Sequence, residues 1–315
     1  MDMDNVCALI LNWNGAEQTI NCVRSVDAHC GIPLVVVDNH SEDNDYLRLT
    51  HYFSTRVDGD TWTGTEDQIR QHQDRHRTCL IRNADNYGYA GGNNTGIDYL
   101  FRAGYDYIWL LNNDITVEAG ALQALLSAFD SDADCGFCAS ILVYADHPEI
   151  VQCVGGGQLY PWLGKARLIG KNLSRDELSQ QLPRLPRPDY LMGASLLIKR
   201  DVIQRVGPMD ERYFMYYEEV DWQRRAALQG FTCHVAPQSF ARHGDSASTQ
   251  NRSHMFHFYR NRAAIMYNKK FHSMPYSLFS ALALTAITAL QNRHNPKNIR
   301  YGIKGITQGL AYSWR

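Results

Sequence analysis

The sequence predicts an α/β fold: a Rossmann-like, mostly parallel central sheet with helices on both faces, plus a C-terminal helical extension. Two observations carry this. Short continuous apolar runs, VCALIL at residues 6–11 and LVVV at 34–37, have the length and β-branched content of strands buried on both faces. Helical patterns separate such runs, as in a parallel sheet whose crossovers are helices. A third observation concerns the strand ends. The runs stop in amides and carboxylates: N-W-N at 12–14, D-N at 38–39 and N-N-D at 112–114.

In chain order, N-W-N-G at 12–15 leads into a helical pattern that ends near Ala28, and LVVV follows as the second strand. Residues 52–78 are polar and charge-rich, which predicts an inserted loop with a short surface helix. Cys79, Leu80 and Ile81 resume the sheet. N-Y-G-Y-A-G-G-N-N at 86–94 reads as a glycine-rich turn into a helix through Arg102. Ile108, Trp109, Leu110 and Leu111 form the next strand, and 119–129 the next helix. Short strands and turns fill 141–170. A loop is expected over 174–188, which holds Pro183, Pro186 and Pro188. A strand at 196–198, a helix at 219–229 and a strand at 231–235 complete the pattern.

At 315 residues the chain can bury one large core or two small ones. Its 44% hydrophobic and 20% charged content is that of a globular protein, and a net charge of −2 offers no global field for nucleic acid. The first residues, MDMDNVC, hold acids where a signal peptide holds Lys or Arg, so a cytoplasmic chain with reduced thiols is expected. Cys135 and Cys138 have redox-motif spacing but no second pair to complete a zinc site.

The C-terminus differs. Residues 274–290 are apolar yet rich in small and hydroxyl side chains, and fall just short of the roughly 20 residues of a bilayer span. Residues 298–312 mix isoleucines with Arg300 and Lys304. Two readings of 274–312 stand open. One is peripheral contact with the inner face of a membrane. The other is a helical hairpin packed on the catalytic domain or on a partner subunit, where it could serve a homodimer.

In open α/β sheets ligands bind at the carboxyl ends of the strands. One Asp there is ordinarily a cap or turn former; three polar clusters along one edge suggest a site. Residues 86–94 lack the G-x-G-x-x-G spacing of a dinucleotide turn, though their glycines permit close backbone approach to a ligand. Farther on, Glu218, Glu219 and Asp221 crowd three carboxylates into four residues, so at least one should hold a raised pKa or face a cation. Arg242-His243-Gly244 follows a strand.

Together these stretches resemble the inverting family 2 glycosyltransferases with a GT-A fold, in the bacterial rhamnosyltransferase-like branch. The resemblance rests on ALILNWNG, LVVVDNHSED, NADNYGYAGGNNTGI, WLLNNDITV, the long stretch from YLMGAS to AALQG, ARHGDSAS and FYRNRAAI, in that order over residues 5–265. It implies a catalytic domain at 1–265, with a nucleotide-sugar-binding half at 1–116 and an acceptor-binding half at 117–265, and a helical extension at 266–315. Asp38 would hydrogen-bond the base or ribose beside Asn12 and Trp13. Asn86, Gly88 and Gly92 would line the nucleotide pocket, with Asn113 at its edge. Asn112 and Asp114 take the place of the family's D-x-D element, which holds a divalent cation, Mg²⁺ or Mn²⁺, on the diphosphate. His243 would complete that shell, and Arg260 would offer the diphosphate a cation. The first Asp of the family element is Asn112 here, so Asp114 carries the charge. The family's base maps to Glu219, with Glu218 and Asp221 as alternatives. Trp222 and Tyr217 could stack on an acceptor sugar.

The implied reaction moves a sugar, L-rhamnose from dTDP-rhamnose in the leading reading, onto a glycan or lipid-linked acceptor of a bacterial surface polysaccharide such as O-antigen. A UDP-sugar donor is the alternative within the same chemistry. A nucleotidyltransferase would want a basic Gly-rich loop after the first strand, and N-W-N-G has no base. From another class, an inactive nucleotide-sugar-binding subunit remains open through Asn112.

Overall fold

The computed structural model describes residues 3–56, 60–244 and 253–314. A ten-stranded sheet runs through it in the order Thr61–Thr65, Thr78–Arg82, Leu34–Asp38, Val6–Asn12, Tyr107–Asn112, Ser195–Lys199, Cys135–Tyr144, Thr232–His243 and Ile115–Val117. Val151–Val154 pairs with Cys135–Tyr144 off this path. The first five strands are parallel to their neighbours. Ser195–Lys199 runs antiparallel to both of its neighbours, so the second half of the sheet is mixed.

The parallel half follows from side-chain alternation. Along the first strand Val6, Ala8 and Ile10 enter one core with Val36 and Trp109. Cys7 and Leu9 enter the other with Val35, Val37 and Leu110. A strand buried on both faces has no polar positions to give, which is why these runs read as continuous. Helix Gly88–Arg102 lies close over one face because it carries glycine where the sheet rises. A Cβ at Gly96 would stand 2.3 Å from Leu9 Cδ1, and one at Gly92 would stand 2.6 Å from Leu11 Cδ1.

The structure amends two expectations and agrees with the reading of the cysteines as reduced thiols. Residues 52–78 hold an edge strand, Thr61–Thr65, that pairs with Thr78–Arg82; none of its residues is fully buried, so it lacks an apolar signature. Within 174–188 a helix, Arg175–Gln181, starts from a Ser174 cap and buries Leu178. Cys135 and Cys138 both lie in a buried strand, and all eight cysteines are free thiols.

The chain ends in three helices, His254–Phe271, Met274–Gln291 and Pro296–Ala311. Residue 265, taken above as the end of the catalytic domain, lies inside the first of them. The last helix turns Gly302, Gly305 and Ile306 inward. A Cβ at Gly305 would stand 2.2 Å from the Phe258 carbonyl oxygen, so the two backbones cross at near contact. This is the packed arrangement of the two left open for that helix.

An ion-pair network ties the trio to the sheet domain. Lys270 Nζ lies 2.6 Å from Asp221 Oδ2 and 2.9 Å from Asp210 Oδ2. Arg225 Nε donates to Asp221 Oδ1 at 2.7 Å, and the Tyr213 hydroxyl donates to Asp221 Oδ2 at 3.0 Å. Asp221 is completely buried. Removing one member of such a network leaves a buried charge short of a partner. Lys270→Met should therefore cost about 2 kcal/mol of stability, less than full orphaning because Arg225 and Arg212 remain. Calorimetric unfolding of the purified variant reads this.

Candidate active site

The carboxyl edge of the parallel strands is in register. Asn12 stands opposite Asp38, Asp38 opposite Arg82, and Leu11 opposite Asn112. Sheet pairing alone thus lines up the polar clusters. Asn12 and Asp38 are completely buried and hold each other: Asn12 Nδ2 lies 2.8 Å from Asp38 Oδ1 and 3.0 Å from Ser41 Oγ. Asp38 Oδ2 accepts the Ser41 N–H at 3.2 Å. Both side chains brace the loops that follow their strands. The neighbour they leave outside is Trp13, 55% exposed.

The turn at 86–94 is braced in the same way. Asn39 Nδ2 donates to Asn86 Oδ1 and to the Gly88 carbonyl, both at 3.0 Å, while Asn86 Oδ1 accepts the Gly88 N–H at 2.9 Å. Gly88 has φ +71°, and a Cβ there would stand 2.2 Å from the Phe214 carbonyl oxygen. Only glycine permits that approach. Gly92 faces Leu11 and Asn39, so it serves helix–sheet packing.

Asn112, Asn113 and Asp114 make the turn from the central strand Tyr107–Asn112 into the short strand Ile115–Val117. Ile115–Val117 pairs antiparallel with Thr232–His243, Ile115 opposite His243. This register sets His243 Nε2 3.4 Å from Asp114 Oδ1. The other ring nitrogen, Nδ1, lies 2.7 Å from Gln152 Oε1. An amide oxygen only accepts, so Nδ1 donates to Gln152 and the bond orients the ring with Nε2 facing the carboxylate. A carboxylate oxygen and an imidazole nitrogen at this separation suit a cation between them. Among the described residues no cluster of three His, Cys, Asp or Glu could hold a metal ion alone. Asp114 and His243 fit a cation whose remaining ligands come from elsewhere, as from a diphosphate. Asn113 lies beside them, its amide 3.4 Å from the Gly15 carbonyl.

Glu218 and Glu219 open helix Glu218–Ala227 after an unusual turn: Phe214, Tyr216 and Tyr217 all have φ between 66° and 70°. Left-handed backbone at three non-glycine residues costs energy and survives only where the surroundings over-determine it. Here Phe214 stacks on Tyr259 at 4.8 Å, Tyr216 meets Phe256 at 5.4 Å and Tyr217 meets Tyr267 at 5.4 Å. All three partners lie on helix His254–Phe271, which thereby becomes a wall of the site. Glu218 is buried and Glu219 opens into a cavity of about 490 Å³ with Tyr217, Arg260, Lys165 and Tyr190. One oxygen of each glutamate, and the Tyr217 hydroxyl, is buried without a hydrogen-bond partner. Burial pushes Glu219 up to about 7, and burial together with its neighbour holds Glu218 well above the carboxylate range. Asp221 is drawn off into the ion-pair network, which removes it as a candidate base. Trp222 is core, its indole N–H donated to the Gly207 carbonyl. Arg260 shares the glutamates' cavity and donates to the Gly164 carbonyl.

Tyr89 joins the two halves, and sequence reasoning passed over it. Its hydroxyl lies 3.2 Å from Asn112 Oδ1 and 3.0 Å from the Gly193 carbonyl oxygen. Its pKa is raised well above the usual value, first by burial and then by Glu218, Glu219 and Asp114. One hydroxyl thus feels the carboxylates of both clusters. No spacing rule points to it, because Tyr89 sits at the start of helix Gly88–Arg102, where glycines dominate the pattern.

Residues 56–153 match the family model described as glycosyl transferase family 2. The match covers 98 of the 315 residues. The matched segment includes the 86–94 turn and Asp114, and stops before Glu219 and His243. Over 329 residues the chain is 23% identical to the dTDP-rhamnosyl transferase RfbF of Shigella flexneri, covering 98% of this chain and 99% of that one. Over 288 residues it is 24% identical to the low-salt glycan biosynthesis hexosyltransferase Agl10 of Haloferax volcanii, covering 89% of this chain and 82% of that one. One of these relatives is a rhamnosyl transferase by name, the branch that the motifs resemble. A structure of GalNAc-T7 with UDP, GalNAc and Mn²⁺ superposes with a TM-score of 0.63 at 13% identity, over 98% of this chain. This chain spans 56% of that chain's length. The fold is GT-A. Of the ARHGDSAS stretch, residues 245–248 lie outside the described residues.

The two raised glutamates make a stability prediction. Each binds its proton more tightly folded than unfolded, so stability falls as pH rises from about 4, the unfolded range, toward 7. Glu218→Gln should raise the melting temperature by a few degrees at pH 8. The gain should vanish below about pH 4, where the wild-type carboxyl is protonated in both states. Thermal melts across pH check both statements.

Proposed function

We propose that the chain is an inverting, metal-dependent glycosyltransferase that moves L-rhamnose from dTDP-rhamnose to a glycan or lipid-linked acceptor of a bacterial surface polysaccharide. The observation that carries this is Glu219: a carboxylate with one buried oxygen left without a hydrogen-bond partner, raised toward neutrality by burial, facing a cavity large enough for a sugar and acting on the same tyrosine hydroxyl as Asp114. A general base works best with a pKa near the working pH. Glu219 takes the proton from the acceptor hydroxyl as its oxygen attacks the anomeric carbon, and the sugar–phosphate bond breaks in the same displacement. A divalent cation, Mg²⁺ or Mn²⁺, would be held by Asp114 and His243 and would stabilise the departing diphosphate. The exposed Trp13, above the braced Asn12 and Asp38, offers a face on which a nucleobase stacks. Asn86 shapes the turn beside it. The kinship to a dTDP-rhamnosyl transferase over nearly the whole chain favours that donor over a UDP-sugar. Two buried carboxylates, each with one oxygen left without a hydrogen-bond partner, favour an enzyme over a binding subunit, since a binding subunit gains nothing from them.

Glu219→Gln should lower transfer by a factor of about 10² to 10⁴ and leave nucleotide binding near wild type, as read by product formation and by titration with dTDP. Near-normal transfer would remove Glu219 from the reaction. A thermal-shift screen of dTDP-, UDP- and GDP-sugars, with and without divalent cation, should give the largest shift with dTDP-rhamnose and cation.

Gln152 makes a separate prediction. Gln152→Leu should weaken Mn²⁺ binding in the presence of dTDP by about tenfold, because His243 loses the partner that fixes its tautomer. Gln152→Glu should retain binding. Electron paramagnetic resonance of free Mn²⁺ measures both without turnover.

A further inference from the structure

We propose that the outer face of helix Met274–Gln291, together with Trp162, docks on an anionic lipid surface and holds the mouth of the Glu219 cavity against it. The proposal goes beyond the transfer reaction, and vesicle binding is read without turnover.

The helix is amphipathic the wrong way round for a water-facing surface. Its inward side carries Ser277, Ser280 and Thr288 beside Ala281 and Leu284. The hydroxyls are used: Asn268 Nδ2 donates to Ser280 Oγ and Asn261 Nδ2 donates to Thr288 Oγ1, each at 2.9 Å. The outward side carries Leu278, Phe279, Leu282 and Leu290, each at least half exposed and Leu282 73% so. A surface helix ordinarily buries its leucines and shows its hydroxyls. Trp162 extends the apolar face, stacked on Phe279 at 5.7 Å. Scattered exposed leucines need no explanation, but a contiguous face of them marks a partner. By length and hydropathy this helix could cross a membrane. Its inward hydrogen bonds hold it flat on the protein instead, so it would lie in the interface.

Charge selects the occupant. Residues 246–315 contain ten Lys or Arg and no Asp or Glu, so the rest of the chain carries −12 against +10 here. Arg293 follows the helix directly, and Arg293, Lys297, Arg300 and Lys304 are all exposed. A second copy packed on this face by two-fold symmetry would bring like charges together. An anionic bilayer gains about 1 kcal/mol for each such cation near its surface.

Position gives the contact a purpose. Gln291, the last residue of the helix, and Gly164, two residues past Trp162, both line the Glu219 cavity. An apolar anchor at the rim would present the cavity to whatever acceptor the lipid surface carries.

The test is co-sedimentation of the full chain with vesicles of phosphatidylglycerol and phosphatidylethanolamine, against phosphatidylcholine alone, at about 0.1 M salt. Binding should be about tenfold stronger on the anionic vesicles. The variant Leu278→Ser, Phe279→Ser, Leu282→Ser should lose about tenfold, and the variant Arg293→Glu, Lys297→Glu should lose a similar factor. Melting curves verify folding, and Leu282→Ser alone, at the most exposed position, should show a smaller loss in the same direction. Wild-type protein that ignores anionic vesicles, or a triple variant that binds them unchanged, would overturn the proposal. Sedimentation equilibrium reads the other occupant: a wild-type dimer that the triple variant dissolves, with no vesicle binding, would assign the face to a second copy. A chain that binds vesicles but transfers no sugar would reject the transferase reading and keep this one.

Discussion

The site depends on one backbone pairing. Ile115–Val117 is only three residues long, yet its antiparallel register on Thr232–His243 does two things. It folds Asn113 and Asp114 into a turn at the end of the central strand, and it carries His243 across to face Asp114. A slip of one residue would turn His243 to the opposite face of the sheet and separate the pair. The Gly244 N–H, donated to the Asp114 carbonyl at 3.0 Å, closes the turn and fixes the register. The polar stop after WLL is therefore neither a cap nor a solvent loop. It is the place where a buried strand delivers side-chain oxygens to the carboxyl edge, facing His243.

The second constraint is strain. Three aromatic residues in left-handed backbone aim Glu218 and Glu219, and the aromatics of helix His254–Phe271 hold them there. The Lys270 network anchors that helix to the same segment through Asp210 and Asp221. The crowded carboxylates thus have distinct physical situations on adjoining residues. Asp221 is neutralised by cations and is structural. Glu218 and Glu219 lack cations and are held near protonation by burial. The C-terminal trio is part of the site as well as an appendage to the domain.

Much of this was legible in the sequence because the relevant forces are local or periodic. Continuous apolar runs revealed strands buried on both faces, and their polar ends lay along one edge because parallel strands in register put equivalent positions side by side. What stayed hidden was decided by tertiary contact. Thr61–Thr65 is an exposed edge strand with no hydrophobic pattern to read. Asp221 could not be told from Glu219 by spacing, since its partner Lys270 lies 49 residues away in the chain. Tyr89 and Gln152 matter through what they touch. The inverted face of Met274–Gln291 was invisible because hydroxyls and leucines alternate there, and only packing shows which side is inward.

The central claim is that the cation site at Asp114 and His243 and the base Glu219 serve one displacement. The most direct measurement is the anomalous-difference map of a crystal grown with Mn²⁺ and dTDP. The account predicts a peak bonded to Asp114 and His243 Nε2, with the diphosphate between that peak and the mouth of the cavity holding Glu219. A metal bound elsewhere, or a diphosphate seated away from Asp114, would contradict it.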